Sequence, residues 1–247
     1  MIPVIEVFKS IQGEGKYTGV PSIFIRVSGC NLRCRFKNSI CDTPYSSFDP
    51  EKSKYSIEDI RKFIDDNDYI DHVVITGGEP MMYRAELADF IEQLQIQYKT
   101  ITIETNGTFE PLPYRVGWFV DLYSVSPKLS TSLCGYDAED YDKFNKLRLR
   151  HLKDYVRIVV DDDNRYNKEW TEVQFKFVYS GQESLDEIRA LQEQYSIPNN
   201  LIYLMPEGAD RDQLDLMRQE CASVCIEYGF NYSEREHIVI WGTQRRV

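Results

Sequence analysis

Ser22-Ile23-Phe24-Ile25-Arg26-Val27-Ser28-Gly29-Cys30-Asn31-Leu32-Arg33-Cys34-Arg35-Phe36-Lys37-Asn38-Ser39-Ile40-Cys41-Asp42-Thr43 carries an alternating strand directly into a polar loop with three cysteines. Cuboidal iron–sulfur clusters are held by thiolates, usually four of them, so a loop offering three leaves one iron free for a ligand that is not protein. Zinc sites usually bring four ligands in two close pairs, and no second pair lies nearby: the remaining cysteines are Cys134, Cys221 and Cys225, and histidine occurs only at His72, His151 and His237. Buried thiols acting as small hydrophobes are the other alternative. These three, however, sit among Asn31, Arg33, Arg35, Lys37 and Asn38, where positive charge is expected to favour the thiolate. The loop therefore reads as a cluster-binding site.

Outward from this strand, hydrophobic alternation predicts further strands over residues 4–8, 72–76, 100–104, 118–124, 155–160, 173–179 and 201–205. Helices are expected after Ser56, where Ser56-Ile57-Glu58-Asp59 reads as an N-terminal cap, and over residues 84–98, 184–195 and 211–228. Strands alternating with helices indicate an α/β fold with a parallel sheet, open or curled into a partial (β/α) barrel. Reactive groups in such folds collect at the carboxyl ends of the strands. Ser28-Gly29-Cys30, Thr76-Gly77-Gly78-Glu79, Glu104-Thr105-Asn106-Gly107, Ser126-Pro127-Lys128 and Met205-Pro206-Glu207 each begin where a predicted strand stops, so one rim gathers five polar clusters.

The chain has 247 residues with 42% hydrophobic and 13% aromatic content, enough for one domain, 1–247, with an irregular insertion at about 133–172 after the Ser126-Pro127-Lys128 motif. Its first residues form a strand pattern and no apolar run is long enough for a bilayer, so a cytoplasmic location is expected. Six irregularly spaced cysteines do not make a secreted disulfide framework, and a reducing compartment keeps thiols available for iron. The net charge of −11 argues against nucleic-acid and membrane surfaces and favours small-molecule partners.

Several residues admit a ligand-binding reading beside a plain structural one, in which Gly77-Gly78 is an ordinary strand-to-helix turn and Asn106-Gly107 a simple Asn-Gly turn. A Gly77-Gly78 turn lets the backbone approach a ligand closely, and the Glu79 carboxylate beyond it can accept from a ligand ammonium. Glu104 and Asn106 offer an acceptor and an amide suited to a ribose diol. Arg26 alternates with Ile25 and Val27, so its guanidinium leaves the apolar face for a substrate carboxylate or, alternatively, a surface salt bridge. Cys221 and Cys225 are one helical turn apart and read as a buried helix face.

Taken together, the three-cysteine loop and Gly77-Gly78-Glu79-Pro80 resemble the radical S-adenosylmethionine enzymes and their partial barrel. More narrowly, Ser10-Ile11-Gln12-Gly13-Glu14-Gly15, Cys41-Asp42-Thr43, Glu104-Thr105-Asn106-Gly107, Ser126-Pro127-Lys128, Leu204-Met205-Pro206-Glu207-Gly208 and the closing Arg235-Glu236-His237 through Trp241-Gly242 resemble the 7-carboxy-7-deazaguanine synthases. The motifs run in order over nearly the whole chain, apart from about 133–172. One spacing departs from the family: six residues separate Cys34 from Cys41, while Ile40 before Cys41 and Asp42-Thr43 after it reproduce the flanks of the last ligand.

The resemblance implies a [4Fe-4S] cluster on Cys30, Cys34 and Cys41, S-adenosylmethionine as cofactor, and Mg2+ on Thr43. It implies cofactor contacts at Ile40, Asp42, Gly78, Glu79, Glu104, Asn106, Ser126, Pro127 and Lys128. Gln12, Gly13, Glu14, Arg26, Thr76 and His237, the last on a closing strand, would bind the substrate. The implied reaction converts 6-carboxy-5,6,7,8-tetrahydropterin to 7-carboxy-7-deazaguanine with loss of ammonia, in queuosine-type biosynthesis. A flavodoxin- or ferredoxin-type electron donor and a homodimer are implied as well. Two other readings stand beside this one: an activase that makes a glycyl radical on a partner protein, or a non-catalytic binding protein that kept the scaffold.

Overall fold

A computed structural model describes residues 2–37, 39–112, 120–160 and 171–247. Its eight strands form one sheet in sequence order: β1 (Val4–Ile11), β2 (Pro21–Val27), β3 (His72–Gly77), β4 (Thr100–Thr105), β5 (Leu122–Val125), β6 (Glu172–Tyr179), β7 (Ile202–Pro206) and β8 (Asn231–Tyr232). β1 pairs antiparallel with β2, and every later pairing is parallel. Parallel strands that follow one another need crossovers of one hand; described helices lie in each of these crossovers except that between β4 and β5, part of which is outside the described residues.

The sheet curls into a partial barrel. The loop after β1 reaches strands far from it in the sheet order: Gly15 N donates to Ser233 Oγ (2.7 Å), Lys16 N to Gln174 Oε1 (2.8 Å), and Glu236 N to Gly13 O (3.0 Å). That loop fills the gap between the two ends of the sheet.

Strand register sorts the residues into two faces. One row runs Ile25, Ile75, Ile103, Tyr123, Val173 across β2 to β6, and these buried side chains pack against Leu87, Phe90 and Ile91 of helix Arg84–Leu94 and Ile188 of helix Gln182–Tyr195. The opposite face is polar: Arg26 lies beside Thr76, and Glu104 beside Ser124 and Gln174. Deeper on that face His72 is held between Ser22 Oγ (2.7 Å) and Thr102 Oγ1 (2.8 Å).

The expected cap is present as a full capping box, in which Ser56 accepts from Asp59 N and Asp59 accepts from Ser56 N, opening helix Ile57–Asp65. Cys221 and Cys225 are buried on helix Arg211–Tyr228, as their spacing implies. Two expectations are corrected. Residues 155–160 belong to helix Leu152–Val160, because Leu152, Tyr155 and Val156 recur at helical spacing and are buried together, which outweighs their β-branched neighbours. The closing segment is also helical, Glu236–Trp241: Ile238 is buried while Ile240 is 46% exposed, which a strand with one buried face would not give. Part of the strand expected at 118–124 lies outside the described residues. No helix among the described residues is long and apolar enough to cross a membrane.

Candidate active site

The carboxyl ends of the strands open onto a cavity of about 420 Å³ whose wall includes Cys30, Cys34 and Cys41. The described residues between the second and third cysteines fold back as a hairpin: Arg35 bridges Ile40, Phe36 N donates to Ser39 O (2.8 Å), and Cys41 N donates to Cys34 O (3.1 Å). The backbone bond at the base of this hairpin keeps Cys34 and Cys41 adjacent, while Phe36, Ser39 and Ile40 line the same cavity as the thiols. The outer arm is pinned by Arg35 N to Ser132 O (2.8 Å) and Cys134 N to Arg35 O (2.9 Å). Asn38 lies outside the described residues.

Nearby positive charge does not set the state of Cys30 and Cys34. Burial pushes Cys30 up to about 12, with the Glu79 charge adding to it, and burial pushes Cys34 up to about 11 against the charge of Lys128. Arg33 turns to the carbonyls of Cys30 (2.6 Å) and Leu32 (2.8 Å), and the Arg35 guanidinium lies 5.3 Å over the Phe48 ring. An incoming iron would therefore displace protons. All three thiols are unpaired, and no three metal-binding side chains among the described residues converge on a single ion. A cubane places each thiolate on a different iron, so three separated thiols on one wall fit a cluster better than a lone cation.

The Gly77-Gly78 turn forms the adjoining wall. A Cβ on Gly78 would come within 2.0 Å of Gly29 O, so only glycine lets this turn lie against the start of the cysteine loop. Glu79 is placed differently from its sequence expectation. Its carboxylate is fully buried and accepts from Met81 N (3.0 Å), Thr105 Oγ1 (2.7 Å) and Asn106 N (2.6 Å), tying the turn to the end of β4. Burial pushes the carboxyl up to about 7 in spite of these donors.

Glu104 and Asn106, read together as a ribose clamp, face different neighbours. Asn106 points at the cysteine loop, with Nδ2 on Asn31 Oδ1 (3.0 Å) and 3.8 Å from Cys30 Sγ. Glu104 accepts from Thr76 Oγ1 (2.7 Å) and Gln12 Nε2 (3.3 Å) inside the barrel. Ser126 and Lys128 line the cavity, joined by Lys128 Nζ to Ser126 Oγ (2.7 Å), while Pro127 is buried outside its lining. Ile40, Asp42 and Thr43 line it too, and Thr43 Oγ1 lies 3.4 Å from Cys41 Sγ.

Two residues absent from the expected site hold the inner wall together. Lys176 Nζ donates to Glu14 Oε2 (2.9 Å) and Glu104 Oε1 (3.2 Å). Arg235 donates to Glu14 Oε1 (3.1 Å), to Gly208 O (2.7 Å) and to Asp42 beside the third cysteine. Burial opposes ionisation of Glu14, yet Lys176 and Arg235 outweigh it and hold the carboxyl well below the usual range; Glu104 is lowered against burial chiefly by Lys176. His237 packs on the Gly13 backbone, where a Cβ would meet its Nδ1 at 2.3 Å, and burial lowers its pKa. Arg26 lines the cavity with Nε on Glu6 Oε2 (2.9 Å), an ion pair at the cavity rather than on the outer surface. Glu6 also takes Arg245 (2.7 Å) and Arg246 (3.1 Å), so three guanidinium groups share one buried carboxylate.

Residues 24–115 match the Radical SAM superfamily. Over 98% of its length the chain is 37% identical to the 7-carboxy-7-deazaguanine synthase of Rhodopirellula baltica, covering 87% of that relative. It is 35% identical to the 7-carboxy-7-deazaguanine synthase of Halobacterium salinarum, over 97% of this chain and 90% of the relative. Among solved structures it resembles QueE from Escherichia coli, with a TM-score of 0.58 and 26% identity over 94% of this chain and 93% of the other.

Proposed function

The chain belongs to the 7-carboxy-7-deazaguanine synthase family of radical S-adenosylmethionine enzymes, and from that premise we propose how its residues divide the work. The reaction converts 6-carboxy-5,6,7,8-tetrahydropterin to 7-carboxy-7-deazaguanine with loss of ammonia. When bound, the [4Fe-4S] cluster and S-adenosylmethionine supply a one-electron route to hydrogen-atom abstraction that no amino-acid side chain here provides. Cys30, Cys34 and Cys41 would hold the cluster.

Gly77 and Gly78 keep the adjoining wall thin, and Glu79 fixes that turn from behind. Ser126 and Lys128 line the cofactor side, with Lys128 bringing a positive charge toward its carboxylate. We assign Gln12, Glu14, Thr76 and Glu104 to the pterin ring, whose edge presents both donors and acceptors. Their mutual hydrogen bonds pre-set the orientation of each group before substrate arrives, which lowers the entropy cost of binding. Among the described residues Arg26 has no hydrogen bond from its two terminal nitrogens, which we assign to the substrate carboxylate. His237, neutral and pressed on Gly13, closes the same wall. Thr43 offers magnesium one hydroxyl, which suits a cation that keeps most of its hydration.

The observation that carries this reading is the meeting of three cysteines and a pre-bonded polar wall in one cavity of about 420 Å³, a size suited to small molecules. We further propose that the chain works as one domain with residues 133–172 as its β5–β6 connection, in the cytoplasm, as a homodimer, fed by a flavodoxin- or ferredoxin-type donor. The test is anaerobic turnover of reconstituted, reduced protein with S-adenosylmethionine, magnesium and 6-carboxytetrahydropterin. The expected result is 7-carboxy-7-deazaguanine by mass spectrometry, lost in Cys41→Ala. Cofactor cleavage without deazaguanine would overturn the substrate assignment, and turnover unchanged in Cys41→Ala would remove Cys41 from the ligand set.

A further inference from the structure

Lysine is an expensive residue to bury, because its charge must leave water and its long chain must be fixed. The Lys176 side chain is only 3% exposed, in a strand whose alternate positions Val173, Phe175, Phe177 and Tyr179 are buried in the hydrophobic core. Its face instead carries Gln174, Lys176 and Val178 into the barrel, with Lys176 and Val178 lining the cavity. There the ammonium sits between two carboxylates, from the loop after β1 and from β4.

A carboxylate has about four acceptor sites. Glu14 gives two to protein, to Lys176 and Arg235; Glu104 gives three, to Lys176, Thr76 and Gln12. Both keep acceptor capacity free. Gln12 is fixed as well, accepting from Glu14 N at 3.2 Å while donating to Glu104. The groups facing this pair are Lys176 from β6, Thr76 and the neutral His72 from β3, Gln12 from the β1 loop, Arg235 and His237 at the closing helix, and Asp42 from the cysteine loop. Without Lys176 the nearest fixed cation is Arg235, which touches Glu14 but leaves Glu104 with neutral partners only.

We propose that Lys176 is a positioning residue of the pterin site, holding Glu14 and Glu104 ionised and aimed so that both accept hydrogen bonds from the donor edge of the substrate's pyrimidine ring. This rests on the placement of the pterin against Gln12, Glu14, Thr76 and Glu104 given above. Removing the ammonium leaves two facing buried carboxylates, and like charge with burial drives one of them to take a proton near neutral pH. A protonated carboxyl loses acceptor capacity, so substrate affinity becomes dependent on pH where it was not before.

The experiment measures affinity, not turnover. Reconstituted protein with an oxidised cluster and S-adenosylmethionine is titrated anaerobically with 6-carboxy-5,6,7,8-tetrahydropterin, by equilibrium dialysis, between about pH 6 and pH 8.5, the range bracketing a raised carboxyl. Wild type is expected to bind with a flat profile. Lys176→Met should bind about ten- to a hundredfold more weakly at the acidic end and recover as pH rises, the loss matching charge-assisted hydrogen bonds. Lys176→Arg, which keeps the charge, should restore the flat profile. A flat, wild-type-like profile in Lys176→Met overturns the inference.

Where Lys176→Met fails to fold, Lys176→Met with Glu104→Gln removes the facing charge and takes its place. Affinity equal to that of Glu104→Gln alone, with no pH dependence, supports the role; additive losses overturn it. Gln12→Ala separates the two levels of the argument. Unchanged affinity in that variant means the pterin does not lie on this wall and the placement fails; weakened affinity there with an unaffected Lys176→Met sinks the lysine's role alone.

Discussion

Replacing Glu79 by glutamine changes one atom, and the structure sets the cost. Oε1 accepts from Met81 N (3.0 Å) and Thr105 Oγ1 (2.7 Å), so a glutamine oxygen placed there preserves both bonds. Oε2 accepts from Asn106 N (2.6 Å), and the glutamine NH2 would face that donor with another donor. A buried donor left unpaired costs about 1–3 kcal/mol, and the opposed pair adds to it, giving about 3 kcal/mol for Glu79→Gln. Glu79→Ala strands three donors and opens a cavity; allowing for non-additivity among neighbours, about 5 kcal/mol is expected. For a chain of this size each kcal/mol moves Tm by roughly 2–4 °C, so Glu79→Gln should melt about 6–12 °C lower. Thermal unfolding of the cluster-free protein by circular dichroism reads this directly. If Glu79→Gln melts within about 2 °C of wild type, the carboxylate is not a brace between β3 and β4, since even one stranded donor should exceed that shift.

Two further outcomes follow from other parts of the fold. Burial lowers His72 from its ordinary value to about 4, against the pull of Glu104, so the unfolded chain takes up the proton first on acidification. Stability from this group is present above about pH 6.5 and is lost as pH falls toward 4, by about 3 kcal/mol in all. His72→Gln should lack that slope in urea midpoints compared at acid and neutral pH, and an unchanged slope would contradict the assignment. Excising residues 36–39 joins Arg35 to Ile40 at the base of the hairpin, where Cys34 and Cys41 are already linked backbone to backbone (3.1 Å). Iron and sulfide content after reconstitution should stay at the wild-type level, whereas loss of iron would show that the hairpin itself shapes the ligand set.

Alternation and spacing made most of the fold legible, because a strand in this sheet buries one complete face: Ile23, Ile25 and Val27 are all inaccessible, while Arg26 between them reaches the cavity. The same rule, applied to Val173 through Tyr179, would have exposed Lys176 as a charge on the interior face. The misread segments share a cause. Val159 with Val160, and Ile238 through Ile240, are β-branched runs whose intrinsic preference for strands was overridden by tertiary packing. Glu79 and Arg26 were legible as polar residues at the rim but not as to their partners. Those partners, Asn106 for one and Glu6 with its company of Arg245 and Arg246 for the other, come from distant parts of the chain that no local pattern connects.

The lengthened cysteine loop and the missed cations belong to one physical arrangement. Asp42 directly follows the third cysteine and is held by Arg235; Arg235 also holds Glu14; Glu14 is held by Lys176, and Lys176 by Glu104 beside Thr76. Charges alternate in sign along this path, so each ion helps offset the desolvation of its buried neighbours, and removal of Lys176 leaves Glu104 without a charged partner. The path runs from the loop that would hold the cluster to the wall assigned to the pterin. The outer arm of the hairpin is pinned beside Ser132 and Leu133, and none of its described residues hydrogen-bonds to this path, although Phe36, Ser39 and Ile40 line the same cavity. The residue after Cys41 is the fixed point of this loop: its carboxylate joins the cysteine loop to Arg235 and, through it, to the wall assigned to the pterin.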